Sequence, residues 1–194
     1  MTDSKIEALV KASEFLNIDD LNSAKKVIEE KYPFIPIKHD NRKYTIKQMM
    51  EQFFKDGFID RYSGNKLVNP GMLRVISQLL PDSFPYQSHW KTDECHISYW
   101  DYQPTLDHIY PIALGGKDSE ENWATTSMVN NSAKSNFTLE QLGWTLKEQG
   151  DIKEWDGLSK IFIKIVEKDS ELLKIGRIKD YYIATKAIIE KYEI

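Results

Sequence analysis

Leu106-Asp107-His108-Ile109-Tyr110-Pro111, followed by Gly115-Gly116, Asn122-Trp123, Asn130-Asn131 and Lys134, is the stretch on which the reading of this chain turns. Pro104 to Ile109 reads as a short strand, with Leu106 and Ile109 apolar. Pro111 to Asp118 reads as a loop, because Gly115-Gly116 tolerates positive φ. Asn122-Trp123-Ala124-Thr125 reads as a second short strand, and Thr126 or Ser127 can cap a helix running to about Ser135. Asn122 follows His108 by fourteen residues, and Asn131 follows Asn122 by nine. An acid, a histidine and two amides therefore gather around one glycine turn. Lys134 stands three residues after Asn131, so the two share a helix face.

These residue types and intervals resemble the HNH endonuclease family, in the variant whose last histidine is replaced by asparagine. The resemblance runs from Thr105 to Asn136. It extends weakly back to Asp60-Arg61-Tyr62-Ser63-Gly64, where many members carry a Cys-x-x-Cys-Gly zinc knuckle. It implies an α+β protein with a ββα-metal core and flanking helical segments. The activity it implies is metal-dependent endonuclease hydrolysis of DNA phosphodiester bonds, in restriction, defence or DNA processing. Asp107 and Asn131 would hold one divalent cation, Mg²⁺ or Mn²⁺, which suits few oxygen donors and several waters. His108 would be the general base, since an imidazole titrates near neutral pH. Asn122 would organise the loop so that His108 meets the phosphate. Lys134 would touch a phosphate or else be an ordinary solvated helix lysine, with Lys117 as a second candidate. Two other classes stay open: a catalytically inactive DNA-binding module, and a nuclease acting on RNA or structured nucleic acid.

Cys95 is the single cysteine, so no disulfide forms within the chain and no knuckle exists. No structural zinc is expected, and an apolar core must do the knuckle's work. His89, Cys95 and His96 make three candidate ligands without a fourth, so Cys95 reads as a small buried apolar residue. His39 reads as an exposed loop residue.

Formal net charge is −4. The excess lies in 101–145, where two lysines face six acids. That acidity suits a cation and does little for phosphate. The basic stretch Lys38, Arg42, Lys43 and Lys47, with Tyr44, is either a DNA contact or a solvated loop. The expected partner is duplex DNA. One such site cuts one strand at a time, so concerted double-strand cleavage would need a homodimer or reorientation. No apolar run reaches 18 residues and no signal pattern is evident, so the expectation is a cytoplasmic chain without a membrane span.

The chain divides by pattern into a helical segment over 1–56, a core over 57–145 and a helical segment over 146–194. Asp20 and Thr45 mark helix starts, the latter as a capping box with Gln48. Phe58 to Val68 reads as a hairpin around Ser63-Gly64-Asn65. Pro70 opens a helix whose apolar face is Leu73, Ile76, Leu79 and Leu80. The aromatics of 81–103 read as core or as a base-stacking platform. Ile161-Phe162-Ile163 is compatible with helix or strand.

Overall fold

The structure is a computed structural model that describes residues 4–37 and 42–193. It is an α+β protein, largely helical, with one two-stranded antiparallel sheet. Lys38 and His39, named above, lie outside the described residues. The chain forms two compact units, residues 1–38 and 39–194.

The first unit is a pair of helices, α1 (Ser4–Leu16) and α2 (Leu21–Lys31). Asp20 caps α2 by accepting from the Ser23 amide at 3.0 Å. Ala8, Ala12 and Ala24 are its buried side chains, small enough for the two backbones to approach.

The second unit begins with α3 (Ile46–Lys55), opened by the reciprocal Thr45–Gln48 capping box. Met50, Phe53 and Phe54 of α3 form one buried cluster with Phe58, Leu106, Trp123, Ala184 and Ile188. A boundary after residue 56 is therefore corrected. The apolar face of α3 covers the sheet, so the helix belongs to the core unit. Beyond it the chain reverses through Gly57 at φ 62° and Phe58 at φ 50°. The hairpin expected over 58–68 reduces to a turn closed by a single bridge, Ile59 to Lys66.

Helix α4 (Pro70–Leu79) starts at Asn69, whose side chain accepts from the Gly71 amide and donates to Ser159 and Thr185. Leu79 and Leu80 are exposed, contrary to the face read from the sequence. Leu73 is buried as read, and Gly71 and Val75 turn inward with it. Gly71 lies against the Phe162 ring, where a β-carbon would overlap. The aromatic stretch that follows carries α5 (Ser98–Asp101). Tyr99 is fully buried with Leu73 and Cys95, and Phe84, Tyr86 and Trp90 pack around them. These rings are core. His96 stacks on Phe84 with centroids 4.2 Å apart.

Strand β1 (Pro104–His108) pairs with β2 (Trp123–Ser127), Pro104 opposite Ser127 and His108 opposite Trp123. Helix α6 (Met128–Lys134) follows β2 without a break, capped by Ser127. The far side of β2 is met by carboxylates. Asp56 accepts from the Thr125 amide at 2.9 Å and Asp60 from the Ser127 amide at 2.8 Å. The Arg61 amide donates to the Thr125 carbonyl between them. Helix α7 (Leu139–Leu142) carries a second capping box. Helices α8 (Ser159–Lys168) and α9 (Gly176–Tyr192) close the unit, and Ile161 to Ile163 is helical. Phe162 and Val166 of α8 bury against Val75, Leu172 and Ile178. No described helix is long and apolar enough to cross a membrane.

Candidate active site

Side chains alternate across β1, as pleating requires. Thr105 and Asp107 face α6, while Leu106 and His108 face the opposite way, toward α3 and Trp123. The quartet read from the sequence is thus distributed around one short hairpin.

On the α6 side, Asp107 is 7% exposed. Its Oδ2 accepts from the Tyr62 hydroxyl at 2.7 Å and faces the Lys134 Nζ at 2.9 Å. Lys134 also donates to the His108 carbonyl at 2.8 Å and has no exposed surface. Both expectations for Lys134, a phosphate contact and an ordinary solvated helix lysine, are corrected by this burial. Helix α6 is short and lies on β1, so the face shared by Asn131 and Lys134 is its inner one. Burial, then the neighbouring Asp107 charge, raises the Tyr62 phenol far above its ordinary value, so it stays protonated and donates. Asn131 is half-buried, and its amide nitrogen donates to the Thr105 hydroxyl at 2.9 Å. Its amide oxygen accepts no hydrogen bond among the described residues.

On the other side, His108 is 3% exposed. Its Nε2 lies 2.8 Å from Asp118 Oδ1, which also accepts from the Trp123 indole at 2.9 Å. Asp118 Oδ2 accepts from the Lys43 amide at 2.7 Å. Burial pushes the Asp118 carboxyl up, but hydrogen bonds from His108, Lys43 and Trp123 outweigh it and hold it below the ordinary value. An ionised carboxylate only accepts, so Nε2 carries the proton and Nδ1 is the basic nitrogen. Nδ1 makes no hydrogen bond among the described residues. The Tyr44 ring stands beside the imidazole, centroids 6.4 Å apart, and edge-on to Trp123.

Asn122 ties the intervening loop. Its Oδ1 accepts from the Tyr110 amide at 2.8 Å, and its Nδ2 donates to the carbonyls of Tyr110 and Lys117. Gly116 passes so close to the Tyr110 carbonyl that a β-carbon would overlap it. The Lys117 side chain is exposed on this loop. Arg42 and Lys43 are exposed as well, and the Lys43–Asp118 bond fixes their segment beside His108.

Sequence reasoning missed the roles of three contributors. Asp118 lies ten residues past His108, and its signal was being the one carboxylate in the Gly-Gly loop. Tyr62 lies 45 residues from Asp107, with no local signal. Asp60 stands where the knuckle comparison looked for cysteine. It accepts from the amides of Tyr62, Ser63 and Ser127, from the Thr126 hydroxyl and from the Asn130 amide. An Asp opening a Ser-Gly turn is an Asx-turn signature, which could have exposed it. Burial raises its carboxyl, and the hydrogen bonds, led by the Ser127 amide, more than reverse this. A carboxylate thus crosslinks the turn to β2 and α6.

Among the described residues no three His, Cys, Asp or Glu side chains gather to hold a metal. Asp107 and Asn131 carry oxygen donors of the kind a hard cation takes, and Asp107 Oδ2 is engaged by Tyr62 and Lys134. The cation that this carboxylate meets within the described residues is the Lys134 ammonium. Compared with known proteins, the chain matches no family model, no curated protein and no solved structure.

Proposed function

We propose that residues 104–134 form an HNH-type ββα-metal centre that hydrolyses DNA phosphodiester bonds. The observation that carries this reading is the His108–Asp118 pair, which leaves Nδ1 as a base next in sequence to an acidic oxygen donor. Asp107 and Asn131 would hold the divalent cation, Mg²⁺ or Mn²⁺. When bound, that cation supplies Lewis-acid stabilisation of the leaving oxygen and of charge on the phosphate. His108 Nδ1 takes the proton of the attacking water, and Asp118 stabilises the imidazolium that results. Asn122 keeps the loop backbone in place, so the ring does not swing away. Arg42, Lys43 and Lys117 are exposed, Lys43 bonding Asp118 and Lys117 lying on the same loop, and they contact the duplex backbone, which fixes register without reading sequence.

The burial of His108 and the occupied Asp107 Oδ2 favour a second reading, a DNA-binding module that does not cut. Supercoiled plasmid separates the two. The nuclease reading expects Mg²⁺-dependent nicking that EDTA and His108→Ala both abolish. Retained plasmid binding with no nicking under any divalent cation would establish the second reading, and cleavage of RNA alone would move the substrate class.

A further inference from the structure

Lys134 has no exposed surface and three partners around its ammonium. These are Asp107 Oδ2 at 2.9 Å, the His108 carbonyl at 2.8 Å and the Tyr62 ring, whose centroid lies 5.8 Å away. Asp107 Oδ2 is filled by this ammonium and the Tyr62 hydroxyl. A lysine is rarely buried without a fixed anion, and here the anion is the carboxylate proposed above as a metal ligand.

Resting on that reading, we infer that Lys134 is the resident counter-cation of Asp107 and sets how tightly the site takes a divalent ion. An incoming cation meets a carboxylate already neutralised. It must displace the ammonium from Oδ2 or bind beside a positive charge that repels it. Either route lowers affinity, because two like charges at contact distance in a partly dry interior repel strongly. The same pairing keeps the folded chain from burying an unpaired carboxylate before metal arrives. Lys134 is therefore a residue that tunes metal occupancy and gives the metal-free protein its stability at this point. It acts through Asp107 and does not touch the reacting atoms in this arrangement.

The test is Mn²⁺ titration by calorimetry on the whole chain, in wild type, Asp107→Asn and Lys134→Gln. Binding that Asp107→Asn weakens and Lys134→Gln tightens by about tenfold or more is the expected result. Binding that depends on Asp107 yet is unchanged or weakened in Lys134→Gln overturns the inference and leaves the nuclease centre standing. No Asp107-dependent binding in wild type removes the metal centre and this inference together. Should Lys134→Gln fail to fold, wild type labelled with ¹⁵N in lysine side chains gives the answer. The buried ammonium resonance must shift or vanish as Mg²⁺ saturates the site, and an unmoved signal at saturation refutes the proposal.

Discussion

On one face of β1 a lysine meets an aspartate, and on the other a histidine meets an aspartate, with opposite consequences. Lys134 and Asp107 are closed in by Tyr62 and α6, and each satisfies the other. His108 and Asp118 are also nearly buried, but the imidazole has a second nitrogen left over once Nε2 is committed. The first pair is complete without a ligand, whereas the second holds one unused basic atom in a fixed direction. Adjacent residues on a strand can thus divide labour, because pleating sends them into separate environments.

The sharpest break in this comparison is expected at His108. His108→Ala should lower cleavage by about 10²–10⁴-fold, the range for a lost general base, with a smaller change in stability. Plasmid nicking rates and urea unfolding on the same preparation read both. Wild-type cleavage rates would move the base elsewhere. Lys134→Met should do the reverse, costing about 3–5 kcal/mol of folding stability, since it strands a buried carboxylate. A variant that unfolds at the wild-type urea midpoint would show that the pair is not the anchor described.

Asp118→Asn probes how far the second pair depends on its acid. Loss of the carboxylate that fixes the ring should cost about 10–100-fold in cleavage, the size usual for a supporting partner of a site histidine. The fold should survive, although the single amide oxygen can keep only one of the two donors, Lys43 or Trp123. Equal losses in Asp118→Asn and His108→Ala would mean that the carboxylate does more than orient.

The smallest effect concerns acid. Asp60 and Asp118 are both held below their ordinary values in the folded chain. Each contributes stability that is fully present above the unfolded value and is lost as pH falls through the lowered folded value. Unfolding midpoints should therefore decline through the range below about pH 4, where free aspartate titrates. Asp60→Asn should flatten part of that decline, and an unchanged slope would contradict the hydrogen-bonding account of Asp60.

Local chemistry was legible in advance and long-range pairing was not. The box at Thr45, the caps at Asp20 and Ser127, and the strand–loop–strand–helix order follow from residues within a few positions of one another. Propensity and hydrogen-bond reach act over that distance. Asp56 and Asp60 on the Thr125 and Ser127 amides span 69 and 67 residues, and no periodicity encodes such a meeting. Lys134 misled because lysine on a helix is ordinarily solvated, and only the closeness of α6 to β1 reverses that. Leu79 and Leu80 misled for a related reason. Gly71 lies against Phe162 on the buried side of α4, and an apolar stripe alone cannot show which part of it finds a partner.

The carboxylates along β2 also limit how this molecule can associate. A two-stranded sheet ordinarily offers an open row of backbone donors to any passing strand, and proteins guard such rows against aggregation. Here the Thr125 and Ser127 amides are already taken by Asp56 and Asp60, and the Thr125 carbonyl by Arg61. No extended peptide can lengthen the sheet at β2 by strand addition without evicting two buried acids.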